Sequence, residues 1–144
     1  MALTKAPEEL LDKSLTSALT ITTADNNAQL ILVSTDADAS TGPQLDLTRN
    51  SGSPAASDTL GRIRFVGKDD GGNELSYGHM TYSIVDASDG SEDGKFEIDV
   101  RLAGTNRSRM LMSATETVFN NEQVDLNFRV ESDSDGYAFF INGG

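Results

Sequence analysis

Lys95 to Asn120 reads KFEIDVRLAGTNRSRMLMSATETVFN. Phe96, Ile98, Val100 and Leu102 fall at every second position, and Glu97, Asp99 and Arg101 fill the gaps. That is the period of a strand with one apolar and one polar face. Gly104-Thr105-Asn106-Arg107 breaks the alternation with turn residues. Arg109-Met110-Leu111-Met112 then starts a second strand, and Thr117-Val118-Phe119 extends it or starts a third. The segment predicts a hairpin turning at Gly104, and with it an antiparallel fold.

The same pattern continues on both sides. Leu60 to Val66 places Ile63 and Phe65 inward and Arg62 and Arg64 outward. Lys68 to Asn73 is a turn, and Glu74 to Val85 is a longer strand with Met80, Tyr82 and Ile84 on one face. Asp86 to Gly94, DASDGSEDG, is the most acidic loop and leads into the hairpin. Earlier in the chain, Leu19–Thr23, Gln29–Thr35 and Gln44–Arg49 read as strands. The second of these contains the unbroken apolar run Leu30–Val33, which suits burial on both faces. Asn50 to Asp58 is a polar loop. Downstream, Val124, Leu126, Phe128 and Val130 alternate, and Tyr137 to Ile141 is the last strand. Strands separated by short polar turns, with no helix-length pattern after residue 18, predict an all-β, mainly antiparallel, sandwich-like body over residues 19–144. Its expected buried positions are Ile21, Leu30, Leu32, Leu45, Leu47, Ile63, Phe65, Ile84, Phe96, Ile98, Val100, Leu126, Phe128 and Ile141.

Residues 1–18 differ. Pro7-Glu8-Glu9 followed by Leu10 and Leu11 reads as a helix start, with proline at the first position and acids in the first turn. So short a helix needs a surface to pack on. Leu3, Leu10, Leu11 and Leu15 are its candidate attachment or trimer contacts.

The chain has 144 residues, which suits one domain with a small appendage. No apolar run reaches the roughly 20 residues that span a bilayer, and the N-terminus lacks a hydrophobic signal-peptide core. Membrane insertion is therefore not expected. The absence of cysteine excludes disulfides, thiolate metal sites and cysteine nucleophiles. A net charge of −12, carried mostly in the turns, repels phosphate backbones and argues against a nucleic-acid partner. An apolar fraction of 37% without tryptophan leaves little bulk for a core, so several chains are expected to pool their apolar faces.

Chemistry finds few footholds. The single histidine, His79, lies in a strand beside Tyr77, Met80 and Tyr82, and reads as a strand-face residue. No Gly-x-Ser-x-Gly elbow marks a nucleophile. Acid pairs that could serve a glycosidase are abundant but lie in turns with few aromatic neighbours. The loop holding Asp86, Asp89, Glu92 and Asp93 offers oxygen ligands but not the spacing of a calcium loop. No catalytic residue, cofactor or metal is expected, and the protein is not expected to be an enzyme.

Three runs carry a resemblance: LILVSTDADASTGPQLDLTRNSGSPAASDTLGRIRFVGKDD, DASDGSEDGKFEIDVRLAGTNRSRMLMSATETVFN and DLNFRVESDSDGYAFFINGG. Together with the opening MALTK, they resemble the β-rich segments of bacteriophage tail fibres and related virion appendages, notably of marine phages. The resemblance implies a homotrimer attached to other virion proteins, of tail or capsid, through its N-terminal segment. It also implies a distal part that meets a host cell-surface receptor, and synthesis in the host cytoplasm. A receptor- or carbohydrate-binding module using the loops Asn50–Asp58 or Asp86–Gly94 is the alternative.

Overall fold

The computed structural model describes residues 18–134 and 139–141. The N-terminal arm or helix expected up to residue 18, with Leu3, Leu10, Leu11 and Leu15, lies outside them but for residue 18 itself. The chain divides into two units, Met1–Leu45 and Asp46–Gly144.

The second unit is all-β and antiparallel, as the alternation implies. Five strands follow one another as a meander: β1 (Thr59–Lys68), β2 (Glu74–Asp86), β3 (Asp93–Leu102), β4 (Thr105–Met112) and β5 (Thr117–Phe119), in that spatial order. β6 (Phe128–Val130) and β7 (Phe139–Ile141) pair as a separate two-stranded ribbon. Phe128 of the ribbon meets Phe119 of β5, with ring centroids 5.1 Å apart.

Turn chemistry explains the meander. Between β1 and β2 the Asp69 carboxylate accepts the Asn73 amide at 2.8 Å, and Gly72 takes φ +85°. Between β2 and β3, Gly90 takes φ +82°. Between β3 and β4 the turn is only Ala103-Gly104, at φ +46° and +84°. Two consecutive positive φ values are the signature of the two-residue hairpin turn whose twist matches that of the strands. The sequence places this turn at Gly104–Arg107. The structure shortens it, so that β4 begins at Thr105.

Register assigns the faces, because directly paired residues point the same way. One side carries Ile63, Met80, Ile98, Met110 and Phe119 as a cross-strand row, with Gly61, Tyr82, Phe96, Met112 and Thr117 beside it. The other carries Arg62, Thr81, Glu97, Leu111 and Val118, and next to them Arg64, His79, Asp99 and Ser108.

Burial runs against the usual expectation. Among the described residues no apolar side chain is buried, whereas Thr81 (7% exposed), Ser83 (6%) and Ser108 (4%) are. The short polar side chains of the central strands lie under long neighbours such as Arg62, whose Nε donates to Thr81 Oγ1 at 3.0 Å. The expected buried positions are corrected accordingly. Ile21, Leu30, Leu32, Leu45, Leu47, Ile63, Phe65 and Val100 are exposed, and Ile84, Phe96, Ile98, Leu126 and Phe128 are half-buried. The side chain of Ile141 lies outside the described set. Alternation made one face apolar; Leu47 meets it at Gly61 and Phe128 meets it at Phe119, and Ile63, Phe65, Tyr82 and Val100 on it stay exposed.

The described part of the first unit, residues 18–45, contains no strand. The expected strands Leu19–Thr23 and Gln29–Thr35 are without ladder pairing, and so is Gln44–Arg49 at the junction of the units. The carboxylates there serve local turns instead. Asp25 Oδ1 accepts the Asn27 amide at 3.1 Å, and Asp38 Oδ1 accepts the Ser40 amide at 2.7 Å. Such short-range bonds offer the backbone an alternative to a ladder.

Candidate functional site

On the polar face, among the described residues, acid–base groups of β2 and β3 converge beside β4. His79 and Asp99 are cross-strand partners on β2 and β3, and His79 Nε2 lies 2.6 Å from Asp99 Oδ2. The other ring nitrogen, Nδ1, is 3.3 Å from Asn106 Nδ2 on β4. Burial pushes the Asp99 carboxyl above its ordinary range, against the opposing pull of His79. A general base needs a free nitrogen aimed at substrate. Here both nitrogens are engaged, one by a carboxylate and one by an amide. The arrangement is a structural cross-link between three strands. A bulge at Ile98/Asp99 sets the β3–β4 register beside it, which position-by-position reading does not reveal.

Around it run further pairings of opposite charge. Lys95 Nζ sits 3.0 Å from Glu97, and Arg107 Nη1 sits 2.7 Å from Glu122. Glu122 also accepts the Ser108 amide at 3.1 Å, and these bonds, led by that from Arg107, hold its carboxyl below the usual range.

The acidic loop is occupied with its own backbone. Asp86 Oδ1 accepts the Ser88 amide at 2.9 Å and Glu92 Oε1 the Gly90 amide at 3.1 Å; hydrogen bonding to Ser88 lowers the first carboxyl, and hydrogen bonds from Glu92's own amide and then from Gly90 lower the second. Among the described residues no three His, Asp or Glu side chains converge as metal ligands would. The structure does bring the two loops singled out in the sequence together. Pro54 from one and Asp86, Glu92 and Asp93 from the other line a groove of about 370 Å³ whose floor includes Tyr82 and Ile84. Tyr82 lies over Gly94, where an added Cβ would come within 2.7 Å of the ring. The first loop is held to the end of β2 by the Ser57 amide on the Ile84 carbonyl at 2.9 Å and by the Ile84 amide on the Asp58 carbonyl at 2.9 Å, while the Arg49–Asp58 ion pair at 2.9 Å joins its own ends.

The dominant feature is the opposite face. Ile63 (42% exposed), Phe65 (58%), Tyr82 (48%), Val100 (44%) and Phe119 (50%) stand open along it. Leu47 rests against Gly61 and closes one end of a second groove, of about 280 Å³, lined by Leu60, Ile63, Met80 and Phe96. The apolar face is exposed, and no apolar side chain is buried among the described residues.

No known family model matches the sequence, and no curated protein or solved structure matches it either.

Proposed function

We propose that this protein is a structural component of a phage virion, a β-rich module of a fibre or spike that works as a homotrimer rather than as an enzyme. The observation that carries this reading is the uncovered apolar sheet face in a chain without a buried apolar residue among those described. Such a face suits a chain that completes its core with other chains. The resemblance of Leu30–Asp70, Asp86–Asn120 and Asp125–Gly144 to tail-fibre segments supplies the virion setting. In this reading residues 1–18 attach the module to tail or capsid proteins.

A second reading is favoured by the meeting of the loops. The groove where Tyr82 provides an aromatic floor beside Asp86, Glu92 and Asp93 suits a receptor or carbohydrate ligand. A glycan array in which binding depends on Tyr82 supports that reading, and an array without hits removes it.

Light scattering on a size-exclusion column tests the first reading. A mass of three chains of 15.4 kDa is expected. A monomer over the micromolar range overturns it and leaves the binding module as the better account.

A further inference from the structure

We infer that the bare face of β1–β5 is the surface on which copies of this chain pack against one another, three such faces turned toward a common axis. The inference rests on the homotrimer reading and names the surface that serves it.

Charge permits a second copy on this face. Each chain carries a formal −12, so two copies repel across most of their surface. The row Ile63–Met80–Ile98–Met110–Phe119 and its neighbour Gly61–Tyr82–Phe96–Met112–Thr117 contain no carboxylate, lysine or arginine. Arg107 enters only beside Val100 at the β4 end, where Glu122 pairs with it at 2.7 Å. The opposite face holds Arg62, Arg64, Lys95, Glu97 and Asp99. The apolar face is thus one on which like-charged copies can approach without burying like charges.

Area agrees. Phe65, Tyr82 and Phe119 are each about half exposed. An aromatic side chain buries roughly 150–250 Å² when covered, so these three offer on the order of 300 Å². Ile63, Val100 and the half-buried residues between them raise the total to the order of 500 Å² per chain. One partner's share of a stable interface is about 800 Å² with its polar rim included. The groove beside Leu47 also has room for an inserted ring, since a cavity of about 150 Å³ already admits benzene.

The cysteine-free sequence makes the test direct. F65C and V100C place single thiols on the apolar face, and R64C places one on the opposite face of the same strand as Phe65. Each variant is prepared as the full chain, its mass is measured, and the rate of native maleimide labelling is followed. The expected result is a three-chain mass with F65C and V100C labelling roughly tenfold or more slowly than R64C. Failure of F65C or V100C to assemble while strand circular dichroism persists supports the inference equally. A three-chain mass with equal labelling on both faces overturns the inference and leaves the homotrimer standing. A monomeric mass for the unsubstituted chain overturns both, and protected thiols in that monomer would put another part of the same chain on the face.

Discussion

Residues 19–35 and residues 95–112 both carry apolar runs that read as strands, yet only the second stretch forms a ladder. Leu30–Val33 is more apolar than any part of β3. The difference lies in what joins the segments. β3 and β4 are linked by Ala103-Gly104, both at positive φ, which returns the chain directly onto its neighbour. Between Leu19–Thr23 and Gln29–Thr35 none of residues 24–28 takes a positive φ, and Asp25 is spent on the Asn27 amide. A strand needs a partner edge for its backbone groups, and a tight turn is the cheapest way to supply one within a chain. Alternation therefore prepares faces, while turns decide which of them become sheet.

The largest effect is expected from Ile98→Asp at the centre of the apolar face. If copies cover the face, the buried carboxylate should cost about 3 kcal/mol and abolish the multimeric mass. If the face stays wet, the loss in urea unfolding should remain under about 1 kcal/mol, which would remove the contrast between a covered sheet and unpaired flanks. Gly104→Val should follow, at about 1–2 kcal/mol, because a β-branched residue strains a left-handed turn position. It should also move residues 95–112 toward the unpaired behaviour of residues 19–35, visible as faster amide exchange of β3 and β4. Ala103→Asn should sharpen the comparison in the other direction. Asparagine tolerates the φ of +46° that alanine resists, and Asn-Gly is the favoured pair for this turn, so a gain of about 0.5–1 kcal/mol in thermal or urea unfolding is expected.

The smallest effect concerns pH, and its sign differs between carboxylates. Asp69 and Glu122 have carboxyls lowered by hydrogen bonds, led by those from Asn73 and Arg107 respectively. Their contribution is present above the unfolded values of 3.8 and 4.5 and is lost as pH falls through the lower folded values. Asp99 is raised by burial, so its contribution is complete below 3.8 and is lost as pH rises through the folded value. Asp99→Asn should accordingly gain on the unsubstituted chain as pH climbs above 3.8, and Asp69→Asn should blunt the acid-side loss. Parallel urea titrations from acid to neutral pH check both.

How much of this was legible in the sequence follows from the same physics. The strands β1 to β4 and their two faces could be read from period-two alternation, because each alternating run is followed by a turn that pairs it. The unpaired segments 19–23, 29–35 and 44–49 carry the same strand signals, because alternation and apolar runs say nothing about a partner edge. The His79–Asp99–Asn106 link was hidden, since a one-residue shift of register would send these groups to the other face. A bulge at Ile98/Asp99 sets the β3–β4 part of that register, and it leaves no plain mark in composition. The exposure of Phe65 and Val100 was likewise hidden, because an apolar face looks the same in sequence whether it is covered or open.

The open face also has a calorimetric meaning. The heat-capacity change of unfolding reports chiefly the apolar surface that passes into water, and a typical chain of this length would show about 2 kcal/mol/K. A solitary sheet whose Phe65, Tyr82 and Phe119 are already half wet has much less to expose. Its stability curve should be close to a straight line in temperature, with little of the usual dome. Copies that close over the face would restore the curvature and make it depend on protein concentration. The assembly, and not the single sheet, would then be the species that loosens in the cold.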